Sequence, residues 1–314
     1  MPDSLVERGI GETRYARVEN GEIVEARVLL DGIIPAGTVL RAALKRVGRP
    51  AVADAGGTEF LLPNGAADFT EGQALIIEVT REAIPGAEPW KRPLAKVAEG
   101  DGCPAELPPG EALPIPSPDD RLEGVGWSDL LDEARSGVVA FAGGELRVSV
   151  TPAMTLIDVD GASPPPELAV AGARAAVRTI LRHGIGGSIG IDLPTVDGKS
   201  IRKAVGDAID TALPKPFERT AMNGFGFVQI IRPRRHASLF ELAQDRAVFE
   251  ARAVLRRAAF EPAGAKTLVA HPAVAAVLQS RRDWLEGLAR QAGGAIELQA
   301  DPKLPMSGAY ATTR

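Results

Sequence analysis

The chain has 314 residues, of which 45% are hydrophobic and 25% are charged, and its formal net charge is −5. This length accommodates two or three compact domains that each bury a core, so folding requires neither disulfides nor a structural metal. The single cysteine, Cys103, excludes an intrachain disulfide, and the acidic balance excludes a uniformly basic surface for nucleic acid.

The amino-terminal residues and the hydropathy pattern predict a soluble, cytoplasmic protein. Met1 to Ile10 lack the basic and then apolar order of a signal peptide. No apolar run approaches the roughly 20 residues that a membrane-spanning helix needs. The lone cysteine has no zinc-ligand spacing around it and fits a reducing compartment. We therefore expect no membrane partner and no zinc.

The first hundred residues predict β-structure. Alternation from Glu12 to Leu30 around the Asn20-Gly21 pair indicates a β-hairpin. Short strand-like runs with glycine-rich turns follow, and they predict a small β-barrel over residues 36–98. These runs are Thr38 to Val47, Pro50 to Asp54, Glu59 to Leu62, Gln73 to Thr80 and Leu94 to Val97.

A proline-rich segment over residues 99–126 separates this region from the rest of the chain. Its repeated prolines exclude helix interiors and central strands, so we interpret it as a linker. Beyond it, strand and helix patterns predict an α/β domain over 127–252 and a small αβ domain over 253–314. Residues 1–35 are expected to pack as a hairpin on the α/β domain. The predicted fold class is a multidomain α+β and α/β chain.

The carboxyl-terminal two thirds alternate between strand and helix patterns. The predicted strands of the α/β domain are Val138 to Ala142, Glu145 to Val150, Thr155 to Asp160, Ser188 to Asp192 and Phe225 to Arg232. Its predicted helices are Glu167 to Arg182, Lys199 to Ala212 and one from the capping box of Ser238 and Glu241 to about Phe260. The last domain is predicted as strand Thr267 to Ala270, helix Val274 to Arg290 and strand Ile296 to Leu298.

Three aspartates form the main candidate site. In TLIDVDG, alternation places Asp158 and Asp160 on one face of a strand, and Asp192 ends the next candidate parallel strand. A right-handed crossover brings these strand ends together, where α/β sheets collect their ligands. Converging carboxylates suit Mg²⁺, with Mn²⁺ as the alternative, and metal-assisted phosphoryl transfer. The other interpretation left open is that these aspartates merely end strands and begin turns.

Other patterns support weaker hypotheses. Arg232 and Arg234 follow NGFGFVQII and form a basic cluster suited to a phosphate backbone. A Ser/His/Asp hydrolase would have to use His236 near Ser238, but a helix cap explains Ser238 better. The glycines of HGIGGSIG precede a strand instead of opening a helix, which argues against a dinucleotide-binding loop.

These segments, in this order, resemble the ribonuclease E/G family over most of the chain. GELRVSVTPAMTLIDVDGA resembles the strand pair that leads into the family's catalytic aspartate, and GGSIGIDL resembles the strand with its second metal-binding aspartate. NGFGFVQIIRPRRHASL resembles the block that follows, and GETRYARVENGEIVEARV resembles the opening hairpin. Ala36 to Val97 resembles the inserted S1 domain, an OB-type barrel, and LVAHPAVAAVLQSRRDWL resembles the C-terminal domain.

The resemblance implies an endoribonuclease that cuts single-stranded RNA during RNA processing or decay. It implies that Asp158 and Asp192 hold Mg²⁺, with Asp160 supporting them at the catalytic site. We expect the barrel to grip the RNA and a water molecule to attack the phosphodiester with the help of the metal.

Five further residues are expected to contact the RNA. Lys91 keeps a basic position of the family's S1 segment, and Phe60 and Trp90 are the candidates to replace a missing aromatic residue in stacking on bases. Arg232 or Arg234 is expected to hold a phosphate.

Several departures from the family pattern matter. Asp160 stands where the family usually has asparagine, Val52 where it has an RNA-stacking aromatic residue, and Gly224 where an arginine is typical. The linker is too short for a full sensor of RNA 5′ ends, and the paired cysteines of the family's zinc link are missing. We therefore expect a compact relative without a zinc-linked tetramer, while a homodimer through other surfaces stays open.

Two other functions stay open at this point. The changed residue at Asp160 and the missing aromatic residue are compatible with an RNA-binding protein of weak or no nuclease activity that acts in ribosomal RNA maturation. A metal phosphohydrolase acting on small nucleotides is disfavoured, because such an enzyme would not need the barrel.

Overall fold

The computed structural model describes residues 3–85 and 91–313 and has a mixed α/β architecture. The strands are β1 (Asp3–Arg8), β2 (Glu12–Glu19), β3 (Glu22–Leu30), β4 (Val39–Arg46), β5 (Ala51–Ala55), β6 (Thr58–Leu62), β7 (Ala74–Arg81), β8 (Leu94–Val97), β9 (Glu111–Leu113), β10 (Val138–Phe141), β11 (Gly144–Val150), β12 (Thr155–Gly161), β13 (Gly187–Asp192), β14 (Glu218–Arg219), β15 (Phe227–Arg232), β16 (Lys266–Ala270), β17 (Ile296–Ala300) and β18 (Tyr310–Thr313). The helices are α1 (Arg121–Gly124), α2 (Trp127–Ser136), α3 (Pro165–Arg182), α4 (Lys199–Ala212), α5 (Leu239–Leu242), α6 (Arg246–Phe260), α7 (Pro272–Ser280) and α8 (Arg282–Ala292). None of the described helices is both long and apolar enough to cross a lipid bilayer.

The chain divides into two compact units, each assembled from separate stretches of sequence. The first unit combines Met1–Asp31, Pro108–Arg135 and Leu242–Arg314. The second unit combines Gly32–Leu107 and Ser136–Glu241. The first unit therefore contains the N-terminal hairpin and the C-terminal segment, and the second contains the barrel and the large α/β sheet.

The first unit contains the predicted β-hairpin within a four-stranded sheet of order β3-β2-β1-β9. The hairpin turn has positive φ angles at Asn20 (54°) and Gly21 (80°), as a tight turn between antiparallel strands requires. The sequence analysis missed β1, which pairs with β2, and it interpreted residues 99–126 as a linker. That stretch contributes α1 and the edge strand β9, a position at which neighbouring prolines are tolerated.

Two segments that were each predicted as one continuous helix form two helices in the structure. The segment after Ser238 forms α5 and α6, because the side chain of Asp245 accepts a hydrogen bond from the backbone N–H of Val248 and starts a new helix. The predicted helix from Val274 to Arg290 forms α7 and α8, separated at Arg281. Apolar periodicity continues across both breaks, which is why it did not reveal them.

The predicted capping box is confirmed in the second unit. The Oγ atom of Ser238 accepts a hydrogen bond from the backbone N–H of Glu241 at 3.2 Å, and the backbone N–H of Ser238 donates to Oε2 of Glu241 at 2.7 Å. Both residues are buried. Reciprocal bonds of this kind satisfy two backbone donors that water cannot reach.

We expect Ser238→Ala to lower the free energy of unfolding by about 1–2 kcal/mol, because the cap is lost at a buried site. Urea denaturation monitored by circular dichroism measures the change. Ser280→Ala, which removes an exposed hydroxyl bonded to the carbonyl of Val277, serves as the control with an expected change within about 0.5 kcal/mol. Equal losses in both variants would contradict the capping role.

The second unit contains a closed barrel of order β4-β5-β6-β8-β7, which is consistent with an OB-like fold and confirms the predicted barrel. Its core consists of inward-facing apolar side chains from these strands, because alternate residues of a barrel strand point inside. The largest of them are Leu44, Phe60, Leu62 and Ile77, each with 0% exposure.

The second unit also contains a six-stranded sheet of order β10-β11-β12-β13-β15-β14. Helix α3 packs on β11 and β12, and α4 packs on α3. Gly172 permits this close approach, since a Cβ atom there would lie 2.4 Å from Cγ1 of Val159. Ile157 is buried on this helix-covered face, whereas Asp158 and Asp192 are exposed on the opposite face, called the open face below.

Candidate functional site

A pair of carboxylates on neighbouring strands is the central feature of the open face. Strands β12 and β13 are parallel, and Asp158 is the register partner of Asp192. Adjacent strands lie about 4.8 Å apart, and register partners direct their side chains to the same face. Asp192 is the last residue of β13, so the pair lies at the carboxyl end of that strand. The predicted parallel pairing of these two strands is confirmed.

Strand β11 adds charged residues beside the pair. Arg147 is the register partner of Asp158, and Glu145 is the register partner of Asp160. Asp160 lies two residues beyond Asp158 on the same face, as the alternation predicted. Arg147 forms an ion pair with Glu145 at 2.6 Å, so its charge is shared among several carboxylates. The sequence analysis missed Arg147, although alternation along GELRVSV was a signal that pointed to it.

The carboxyl group of Asp158 experiences the crowding of negative charge most strongly. Its pKa lies above the ordinary value, first because the surrounding protein removes part of its hydration and then because Asp160 and Asp192 repel its charged form. A hydrogen bond from the backbone of Val159 and the charge of Arg147 act in the opposite direction without cancelling the effect. A cation placed between these carboxylates relieves the repulsion.

The donor set determines which metal ion the residues fit. Among residues 3–85 and 91–313, no group of three or more His, Cys, Asp or Glu side chains is arranged to hold an ion. Asp158 and Asp192 therefore offer two carboxylates, with Asp160 beside them. Mg²⁺ is commonly held by one or two carboxylates and completes its octahedral shell with water and substrate phosphate. The residues fit such an ion, and they do not fit one that needs a full cage of protein ligands.

The structure does not bring the two predicted arginines to the aspartates. Arg232 pairs with Gly187, five positions and about 16 Å along β13 from Asp192. Alternation along β15 places Arg232 on the helix-covered face, where its Nη1 atom donates to the carbonyl of Ile185 at 3.2 Å. The guanidinium of Arg234 pairs with a largely buried carboxylate of the capping box. Neither arginine therefore lies beside the aspartates, and the expectation that one of them holds an RNA phosphate stays a prediction.

The three barrel residues expected to contact RNA have different outcomes. Phe60 is fully buried in the barrel core, so its ring cannot stack on a base, and that expectation is wrong. Val52 is buried as well. Trp90 lies outside the described residues. The Nζ atom of Lys91 lies 3.5 Å from the carbonyl oxygen of Pro152, in the turn that joins β11 to β12.

A basic cavity of about 310 Å³ lies between α4 and the extended segment that begins at β14. It is lined by Lys199, Arg202, Lys203, Gly206, Asp207, Arg219, Ala221 and Met222. Two of its four cations pair with aspartates of α4, at 2.7 Å and 2.6 Å between nitrogen and oxygen. Lys199 and Arg202 have no carboxylate partner within the described part of the chain, so the lining is positive on balance. The sequence analysis missed this cavity, whose only local signal was the spacing of basic residues in KSIRK.

Comparison with known proteins assigns neither a family nor a function to this chain. No protein-family model matches the chain, and no curated protein sequence matches it.

Proposed function

We propose that this protein is a Mg²⁺-dependent endoribonuclease that cuts single-stranded RNA. One observation carries the proposal, namely that Asp158 and Asp192 are register partners on neighbouring parallel strands. Two carboxylates on neighbouring strands, one of them at the carboxyl end of its strand, favour metal-assisted hydrolysis of a phosphodiester. The resemblance of the surrounding motifs to the ribonuclease E/G family supports RNA as the substrate. The closed barrel supports it further, because OB-type barrels hold single strands.

Each residue of the proposed site has its own task. Asp158 and Asp192 hold the ion, which when bound supplies charge neutralisation at the phosphodiester and lowers the pKa of an attacking water. Asp160 increases the negative potential at Asp158 and so strengthens the attraction for a cation. Arg147, across from Asp158, limits that potential and offers a planar guanidinium to a phosphate oxygen.

The basic cavity supports binding of the RNA backbone. Its net positive lining complements phosphate, whereas the aspartates of the open face repel it in the absence of a metal ion. Gly206 shapes the cavity, because a Cβ atom there would lie 2.7 Å from Nη2 of Arg219 and would displace the guanidinium.

We expect the double variant Lys199→Ala, Arg202→Ala to bind single-stranded RNA more weakly and with a smaller salt dependence. Loss of two phosphate contacts reduces the slope of log affinity against log salt by about 1.4. Fluorescence anisotropy with a labelled oligonucleotide over a range of salt concentrations measures this slope.

The matched control removes the same charge elsewhere in the second unit. Arg174 and Arg178 are exposed on α3, and the double alanine variant at these positions is expected to keep the slope of the unaltered protein. An unchanged slope in the Lys199 and Arg202 variant would show that the cavity does not contact the backbone.

The proposed activity is tested by a cleavage assay beside a binding assay. Purified protein is incubated with an unstructured RNA in Mg²⁺ or in a chelator, and the products are resolved on a denaturing gel. Internal cleavage that requires the metal supports the proposal. Tight binding on a filter without any metal-dependent product contradicts it.

The second candidate is an RNA-binding protein with weak or no nuclease activity that acts in ribosomal RNA maturation. It is favoured by Val52, which stands where the family usually has an RNA-stacking aromatic residue. The additional carboxylate at Asp160, where the family usually has asparagine, points the same way. The filter-binding result without product described above is the outcome that would establish this candidate.

A further inference from the structure

An apolar platform lies directly beside the carboxylate pair on the open face. Leu156 and Gly190 are register partners two residues before Asp158 and Asp192, and alternation places all four on the open face. Phe227, the register partner of Asp192 on β15, reaches over Gly190. A Cβ atom on Gly190 would lie 2.5 Å from Cζ of Phe227 and 2.9 Å from Cδ2 of Leu156. The glycine therefore allows the aromatic ring of Phe227 to approach the backbone closely next to the carboxylates.

A second aromatic side chain is exposed on the turn that leads into Phe227. Phe225 is 84% exposed, the highest exposure of any large hydrophobic side chain among the described residues. Oδ1 of Asn223 accepts hydrogen bonds from the backbone N–H groups of Phe225 at 2.9 Å and of Phe227 at 3.0 Å. The hydroxyl of Thr195 donates to the carbonyl of Phe225 at 3.3 Å. These bonds fix the backbone of the turn, so the exposure of the ring is built into the fold.

Gly226 completes this turn by a close approach to the strand that carries Asp192. It has a φ of +93°, and a Cβ atom there would lie 2.0 Å from the carbonyl oxygen of Leu193. Its own carbonyl accepts a hydrogen bond from the backbone N–H of Leu193 at 3.2 Å. No other residue type fits this position. The turn between the two phenylalanines is therefore tied to the residue that follows Asp192.

We propose that Phe225 and Phe227 form a stacking site for an unpaired nucleobase of the RNA strand whose phosphate lies at Asp158 and Asp192. The inference rests on the proposed function and names the part of the substrate that this site binds. Aromatic side chains stack on bases of any sequence, and each such contact contributes about 1–3 kcal/mol. The site supplies the stacking that the buried Phe60 of the barrel cannot.

Charge favours a nucleotide over an apolar protein partner on this face. A protein surface that covered the two rings would also remove water from the exposed carboxylates of Asp158, Asp160 and Asp192, and taking charged groups out of water is costly. A nucleotide brings its own base for the rings. Its phosphate oxygens provide the remaining ligands of a metal ion between the carboxylates.

The test combines variants of the platform with abasic RNA. Affinity is measured by anisotropy for one oligonucleotide and for a series in which a single abasic ribose replaces each nucleotide in turn, and cleavage of the same series is followed in Mg²⁺. We expect one abasic position beside the cleavage site to reduce affinity of the unaltered protein about 5- to 100-fold. Phe225→Ala and Phe227→Leu should show the same loss with intact RNA and no further loss with the abasic one.

Two further variants separate the rings from general effects on the fold. Gly190→Ala displaces the ring of Phe227 without removing it and should reproduce the loss. Ile231→Ala, which removes a 55% exposed aliphatic side chain from the same face of β15, should bind intact RNA like the unaltered protein. Circular dichroism melting of each variant checks folding. Phe225→Ala is the decisive variant, because its side chain contributes little to the core.

The outcomes for the stacking site and for the nuclease are distinguishable. One outcome is that the protein cleaves RNA with metal, but the Phe225 and Phe227 variants remain as sensitive to the abasic position as the unaltered protein. This outcome overturns the stacking site and leaves the proposed nuclease activity intact. The other outcome is that the variants bind intact RNA more weakly and lose no further affinity with abasic RNA, while no cleavage occurs. This outcome supports the stacking site and contradicts the nuclease.

Discussion

Asp192→Asn is expected to reduce metal-dependent RNA cleavage by at least about 100-fold, because it removes one of two carboxylates that would hold the ion. The same change should raise the melting temperature of the metal-free protein. Asp192 repels the charged form of Asp158, and that repulsion is one of the causes that raise the pKa of Asp158. For exposed carboxylates the gain in the free energy of unfolding is below about 1 kcal/mol.

The sign of this stability effect depends on pH. A carboxyl group whose pKa is raised in the folded state destabilises the fold at pH values above its unfolded pKa of about 4, where the unfolded chain has released the proton. The gain from Asp192→Asn should therefore be present at neutral pH and vanish as pH falls below that value. Thermal melts in chelator measure this gain between about pH 3 and about pH 8. This range extends from about one unit below the unfolded pKa to above neutral pH.

Metal binding gives an independent readout. Mg²⁺ in excess of its dissociation constant should raise the melting temperature of the unaltered protein, because a ligand that binds only the folded state stabilises it. Asp192→Asn should not respond. Asp197→Asn, the same chemical change at an exposed loop residue that follows β13, is the control and should cleave RNA normally. Cleavage by Asp192→Asn at the unaltered rate would remove the basis of the proposed function.

Arg256→Met is expected to lower the free energy of unfolding by about 3–5 kcal/mol, because it breaks a buried ion network and leaves the buried carboxylate of Glu7 with one cation that it already shares with Glu12. Arg256 is a residue of α6 in the first unit. Its Nε and Nη2 atoms donate to the two carboxylate oxygens of Glu7 at 2.9 Å and 3.0 Å. Its Nη2 atom also donates to Asp120 at 2.6 Å. Glu7 is 1% exposed and, within the described part of the chain, would retain only Arg14 as a side-chain partner.

Urea denaturation of the full chain measures this loss. Arg121→Met is the control, since Arg121 forms an ion pair with Glu111 in which both side chains are exposed, and its removal should leave the denaturation midpoint nearly unchanged. Similar denaturation midpoints for the two variants would contradict the structural role assigned to Arg256.

Local patterns predicted those features that neighbours in sequence control. The Asn20-Gly21 pair predicted the hairpin turn, because few other residues adopt its positive φ angles. The spacing of Ser238 and Glu241 predicted the reciprocal cap, because the two partners are three positions apart in every such helix start. Where a side-chain cap interrupts an apolar period, as at Asp245, periodicity alone gave one helix too few.

The stacking platform could not be predicted from the chain alone. Gly190 and Phe227 are far apart in sequence, and their contact depends on the antiparallel register of β13 and β15. The basic cavity has the same origin, since the residues from α4 meet Arg219 only after the edge strand β14 joins the sheet. Neither feature leaves a local signature beyond an exposed aromatic residue or a short basic run.

The sequence by itself determined the hairpin turn at Asn20-Gly21, the cap at Ser238, and that Asp158 and Asp160 share one face, because these depend on dihedral preferences, on local spacing and on the period of a strand. Only the tertiary structure decided that Asp192 is the register partner of Asp158, that Phe60 is enclosed, and that Arg232 lies on the opposite face. Register and barrel closure are set by hydrogen bonds between distant segments, and a shift of one residue would move every side chain of a strand to the other face.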